Sequence, residues 1–249
     1  MDVYNKRIER TLFELSEKIS QNIKSLFPVM YKECEYKKDN ILPDIDDTWQ
    51  EMNENNARLG GYDRHFWIYK KFTTPTSLAE KRYVLRFHTD VEKNADASRH
   101  LQCILYCNGC MVQGLDKNHT TYELEADTEY EVYIYVYTGM YLNSDYKLSI
   151  YLECIDDAIE QLYYDMLVPF KTANLFEEGS YERDETLKYL CYAANYLPLG
   201  TGDKSQFSVQ CKKASDYLRA NYYGKYNLHP ATIACVGHTH IDVAWQWIL

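Results

Sequence analysis

The feature that most constrains this chain is the period-two alternation between Arg64 and Leu152. Tyr83, Leu85 and Phe87 recur at every second position, as do Leu101, Cys103 and Leu105; Tyr130, Val132, Ile134 and Val136; and Tyr146, Leu148, Ile150 and Leu152. Successive side chains of an extended strand point to opposite faces, so each set predicts a strand with one buried face. The runs follow at short intervals with turn residues between them and no helical pattern intervening. That spacing predicts an antiparallel β-sandwich over about 34–154 in place of a βαβ layout. Within it, Cys107-Asn108-Gly109-Cys110 could be half a zinc knuckle or a redox pair, but no second Cys-x-x-Cys completes a four-thiolate site. Asn-Gly between alternating runs is the stronger signal, a two-residue hairpin with Cys107 and Cys110 facing each other across it.

Outside that span the period is helical. Ile8, Leu12, Leu15, Ile19, Ile23 and Leu26 make an amphipathic stripe, which predicts a helix over 3–27 within an N-terminal segment 1–33. Residues 34–63, with Pro43, Asp44, Asp46, Asp47 and Gly60-Gly61, read as a connecting segment. The stretch Arg58–Trp67 mixes charges and aromatics as a sugar-contacting loop would. It also fits a turn entering a strand packed on both faces, with Phe66, Ile68 and Phe72 opposite Trp67 and Tyr69. Beyond Glu153, three stripes (Ala158, Leu162, Met166, Leu167; Leu187, Leu190, Cys191, Ala194; Phe207, Cys211, Ala214, Leu218) predict a helical connector over 155–230. Asp156 and Asp157, and Asp184 and Glu185, suit helix N-termini.

The composition narrows the partners. With 27 basic and 37 acidic residues the net charge is −10, so no general cationic field exists to hold a phosphate backbone, and nucleic acid is excluded as the expected partner. Tyrosine is the outlier at 25 of 249 residues, suited to half-exposed strands and to carbohydrate-contacting surfaces alike. The first twenty residues are charged throughout, without the apolar region of a secretory signal. The eight cysteines are therefore expected to be reduced, the protein cytoplasmic, and Asn118-His119-Thr120 an incidental sequon. No apolar run approaches the roughly 18 residues that a membrane span requires. His65, His88, His100, His119 and His229 are isolated and read as surface or strand residues.

The last twenty residues change character. Ala231-Thr232-Ile233-Ala234-Cys235-Val236-Gly237 is a nearly continuous small-apolar run, as expected of a strand buried on both faces at the start of an α/β domain. It leads into His238-Thr239-His240-Ile241-Asp242-Val243-Ala244-Trp245. If extended geometry persists, the side chains of 238, 240 and 242 share one side, and two imidazoles and a carboxylate converge. They are either polar residues satisfied at a strand end or ligands of zinc or a similar divalent ion. The buried strand before them favours the metal, since polar groups there need partners. Residues 231–249 therefore read as the start of a truncated α/β catalytic domain, and the chain as the N-terminal fragment of a larger protein.

The stretch Gly237–Trp247 strongly resembles the opening of the catalytic domain in glycoside hydrolase family 38, the α-mannosidases. Leu105–Asp116 independently resembles the hairpin of the β-sandwich that precedes that domain in cytosolic and bacterial-type members. The resemblance implies that His240 and Asp242 bind the catalytic zinc, that Trp245 lines the sugar subsite, and that His238 sits behind the ligands as a hydrogen-bonding partner. It also implies a retaining hydrolase of terminal α-mannosides on glycans, with its nucleophile and acid beyond Leu249; a homo-oligomer formed through the parent protein is left open. The isolated chain is then expected to be inactive.

Two alternatives stay open. In a metal-dependent amidohydrolase, His238 and His240 would both be ligands and Asp242 would not. In a carbohydrate-binding or interdomain module, the sandwich would carry a solvent-facing aromatic platform.

Overall fold

The computed structural model describes residues 3–36, 41–77, 81–90, 100–140, 144–198, 204–224 and 234. The chain forms two compact units, a β-sandwich drawn from residues between Asn22 and Cys154 and a helical unit drawn from the N-terminal helix and the residues after Ile155.

The strands are β1 (Ser20–Ser25), β2 (Val29–Cys34), β3 (Gln50–Met52), β4 (Arg58–Gly60), β5 (His65–Thr73), β6 (Lys81–Asp90), β7 (Gln102–Cys107), β8 (Cys110–Leu115), β9 (Thr121–Leu124), β10 (Glu129–Tyr137) and β11 (Asp145–Asp156). One sheet runs β3-β2-β5-β10-β7-β8 and the other β1-β11-β6-β9, with β4 also beside β11. The pairings β5–β10, β7–β10, β7–β8, β2–β5 and β6–β9 are all antiparallel, as the alternation predicts.

All four alternating sets face one core. Tyr83, Leu85 and Phe87 of β6 pack with Cys103 and Leu105 of β7 and the preceding Leu101, with Tyr130, Val132, Ile134 and Val136 of β10, and with Tyr146, Leu148, Ile150 and Leu152 of β11. Leu105, Val136 and Leu148 are fully buried, and each such side chain contributes about 1.5–3 kcal/mol over its exposed state. At the β4–β11 contact, a Cβ on Gly60 would lie 2.0 Å from the Ser144 carbonyl oxygen, so the close approach of these backbones requires glycine.

The N-terminal stripe is only partly a helix. Helix α1 covers Val3–Ile19 and buries Ile8, Leu12 and Leu15, but Ser20–Ser25 pairs with β11 and Leu26 enters the sandwich core. Ser20 and Asn22 are poor helix formers, and sheet pairing takes the segment, with the Leu26 amide donating to the Ile150 carbonyl at 2.9 Å. The sandwich thus begins well before residue 34. The stretch expected as a connector up to residue 63 also holds β3, β4 and a short 3₁₀ turn at Glu54–Asn56.

In the helical unit the three predicted stripes become α2 (Asp157–Ala173), α3 (Tyr181–Ala194) and α4 (Lys204–Leu218), with a π turn at Arg219–Tyr223. Leu162, Met166, Leu187, Leu190, Phe207, Cys211, Ala214 and Leu218 form one core with Ile8, Leu12 and Leu15 of α1. Asp156 caps α2, accepting from the Ile159 amide at 3.2 Å and from the Ser208 hydroxyl at 3.0 Å. Pro169 sits inside α2 and cannot donate to the Asp165 carbonyl; the Tyr223 hydroxyl does so instead, at 2.9 Å. Among the described residues no helix is long and apolar enough to cross a membrane.

Candidate functional site

The predicted site residues His238, His240, Asp242 and Trp245, with the strand expected at 231–237, lie outside the described residues, apart from Ala234. Among the described residues no group of three or more His, Cys, Asp or Glu is disposed to hold a metal ion.

The Cys107–Cys110 stretch forms the hairpin expected of it. Cys107 of β7 and Cys110 of β8 are register partners, and Asn108 and Gly109 make the turn with φ of 49° and 83°. The Asn108 side chain binds the turn to β10, its Oδ1 accepting from the Glu131 amide at 2.8 Å and its Nδ2 donating to the Glu129 carbonyl at 3.3 Å. Cys107 is buried and Cys110 exposed, and the seven described cysteines are all free thiols. Burial raises the Cys107 thiol to about 11, against the low value that redox or metal chemistry would require.

The described feature richest in chemistry is the other face of the six-stranded sheet. The sequence Glu129–Tyr137 interleaves Val132, Ile134 and Val136 with Tyr133, Tyr135 and Tyr137, and β10 is buried on both faces, not on one as the alternation alone suggests. Opposite it in β5, Trp67 and Tyr69 occupy the face away from Phe66, Ile68 and Phe72, so the reading of this strand as packed on both sides holds.

Register then stacks the second face into rungs. Tyr69 pairs with Tyr133, Trp67 with Tyr135 and His65 with Tyr137 across β5–β10, while Tyr106, Ile104 and Gln102 of β7 continue the same rungs. Ring centroids lie 4.8 Å apart for Tyr69–Tyr133, 5.1 Å for Trp67–Tyr135 and 4.7 Å for His65–Tyr137. Trp49, whose indole donates to the Asp44 carbonyl at 3.0 Å, packs edge-on against Tyr69 and Tyr133. Trp49, Trp67, Tyr106, Tyr133 and Tyr135 are all buried, so they do not make the solvent-facing platform that would mark a simple carbohydrate-binding module.

At the His65 end this face holds a cavity of about 220 Å³ lined by Tyr36, His65, Gln102, Cys103, Ile104, Tyr135 and Tyr137. His65 Nδ1 shares a 2.8 Å hydrogen bond with the Tyr135 hydroxyl, its ring is stacked on Tyr137, and Tyr36 meets it edge-on at 5.7 Å. The Tyr137 hydroxyl donates to Asp63 at 3.0 Å. Burial pushes the His65 pKa below the ordinary histidine value, against a smaller raising effect of Asp63. Burial, with the hydrogen bond to Asp63, pushes Tyr137 up to about 12.

Sequence reasoning set His65 aside as isolated, and it is isolated only along the chain. The signal that could have found it is parity: His65, Trp67 and Tyr69 share one face of their strand, and Tyr133, Tyr135 and Tyr137 share one face of theirs. Of the other described histidines, His88 pairs with Asp90 at 3.1 Å and His119 with Asp116 at 3.0 Å, all exposed, while the half-buried His100 has its Nδ1 out of water and without a hydrogen-bond partner among the described residues.

No protein-family model matches the chain, and no curated protein matches it. Among solved structures it is similar to a β-glucuronidase of Ruminococcus gnavus, at 14% identity over 55% of this chain and 28% of that one, with a TM-score of 0.34. A putative β-galactosidase from Bacteroides fragilis gives 14% identity over 55% of this chain and 23% of that one, with a TM-score of 0.33. A β-D-glucuronidase from Dictyoglomus thermophilum gives 11% over 55% and 28%, with a TM-score of 0.32. The match thus spans less than a third of each of these enzymes.

Proposed function

We propose that this chain is the N-terminal portion of a zinc-dependent retaining α-mannosidase, acting on terminal α-mannosides of glycans. The observation that carries the reading is the string His238-Thr239-His240-Ile241-Asp242 with Trp245 three residues on, directly after a small-apolar run. Imidazole and carboxylate are a donor set that suits zinc. The Asn108-Gly109 hairpin is in keeping with the second stretch on which the resemblance rests.

In this reading His240 and Asp242 are two of the protein ligands, His238 orients them, and the Trp245 ring packs against the sugar. Bound zinc would supply a Lewis acid that holds mannose hydroxyls and stabilises ring distortion. This chain's own residues hold and orient; the attacking carboxylate and the proton donor come from the remainder of the catalytic domain. The 249-residue chain alone contributes two ligands where a metal site needs three or four, so it binds zinc weakly and releases no product from aryl α-mannosides.

The test is hydrolysis of an aryl α-mannoside by the polypeptide carrying this chain together with its catalytic domain, before and after chelation. Activity lost on chelation and restored by zinc is the expected result. Hydrolysis indifferent to chelator, or no action on α-mannosides beside action on an amide or ester substrate, overturns the reading.

A further inference from the structure

We propose that the cavity at the His65 end of the aromatic face binds a single neutral pyranose ring. The proposal uses none of residues 238–245 and stands whether or not the zinc reading holds.

Size comes first. At about 220 Å³ the cavity has the liquid volume of about seven waters and lies below the range of about 300–1,000 Å³ usual for drug-sized ligands. One six-membered ring fills such a space.

The lining selects an amphipathic ring. Tyr135 and Tyr137 are buried, at 6% and 7% exposure, while Tyr36 stands at the mouth at 48%. Their rings and Ile104 offer apolar surface to the C–H faces of a sugar. Polar partners are placed beside that surface. With Nδ1 engaged by Tyr135, the second ring nitrogen of His65, Nε2, has no hydrogen bond among the described residues, and neither has the Gln102 amide. The amide both donates and accepts, and a neutral imidazole nitrogen does one or the other according to tautomer, which matches a ring of hydroxyls. A purely apolar ring would fill the space without using either group, at a cost that falls on the buried His65 and not on the exposed Gln102.

Charge argues against the other polar classes. Among the described residues no carboxylate, ammonium or guanidinium lines the cavity, and burial disfavours protonation of His65, so an anionic or cationic ligand would be desolvated without a counter-charge from them.

The experiment titrates the full chain with methyl α-D-mannopyranoside and methyl α-D-glucopyranoside, read by intrinsic fluorescence and by saturation-transfer NMR, with the His65 Nε2 resonance followed by ¹⁵N correlation. The expected result is saturable binding near the millimolar range that moves the Nε2 resonance. Tyr36→Ala and Gln102→Ala, both at exposed positions, should each weaken binding about tenfold with an unchanged unfolding midpoint. The proposal is overturned if neither sugar gives a saturable signal, if both variants bind as the native chain does, or if p-cresol occupies the cavity with the same variant dependence while the sugars do not.

Discussion

The imidazole of His65 lies on the ring of Tyr137, centroid to centroid 4.7 Å with 15° between the planes, while its Nδ1 is tied to the Tyr135 hydroxyl. A ring held this way, at the end of β5 and largely out of water, favours the neutral form, and its pKa falls below the ordinary value. The unfolded chain takes up the proton near about 6.5, whereas the folded chain takes it up only at lower pH. Stability from this group is therefore present in full above the unfolded value and lost as pH falls through it toward the folded one. Urea unfolding across this window should show native stability falling on acidification, with a shallower fall in His65→Gln. Identical slopes in the two proteins would show that His65 does not couple to folding.

The Asn108-Gly109 turn separates conformational cost from packing cost. Nothing lies within 4 Å of a Cβ built on Gly109, whose φ is 83°, so Gly109→Ala is a test of backbone strain alone. It should cost about 1–2 kcal/mol. Asn108→Ala removes the hydrogen bonds to Glu131 and Glu129 and should cost about 1–3 kcal/mol relative to the native chain. Denaturant midpoints measure both, and a neutral Gly109→Ala would mean that the turn does not hold its left-handed conformation.

The Tyr223 hydroxyl serves the carbonyl that Pro169 leaves without its helical donor. Tyr223→Phe should therefore cost about 0.5–1.5 kcal/mol. In a Pro169→Ala background the cost should shrink, because the restored amide can donate to Asp165. A double-mutant cycle by thermal unfolding measures the coupling, and strict additivity would count against this account of the pair.

The sandwich was legible because its core positions repeat at the period of a strand. Tyr146, Leu148, Ile150 and Leu152 could hardly serve any other element, and the structure buries all four. Helix α1 was legible up to Ile19, but the stripe continued through Ile23 and Leu26, where the decisive partner is the Ile150 backbone, some 125 residues away in the chain. The His65 cavity was hidden for the same reason. Tyr36, His65, Gln102 and Tyr137 carry no mutual spacing in the sequence; the β5–β10–β7 register brings the last three together, and the β2–β5 pairing of Cys34 with His65 brings in Tyr36, two residues after β2. The metal string is the converse case, read wholly from local sequence and lying outside the described residues.

The measurement that tests the central claim most directly is the zinc content of the polypeptide carrying this chain with its catalytic domain, compared among His238→Ala, His240→Ala and Asp242→Ala. With His240 and Asp242 as ligands, removing either takes away a bond to the metal and most of the bound zinc. His238→Ala keeps zinc, with an affinity weakened by about 10–100-fold, as expected of a group that orients a ligand. Zinc abolished in His238→Ala and intact in Asp242→Ala would contradict the mannosidase arrangement and place the two histidines as ligands in its stead.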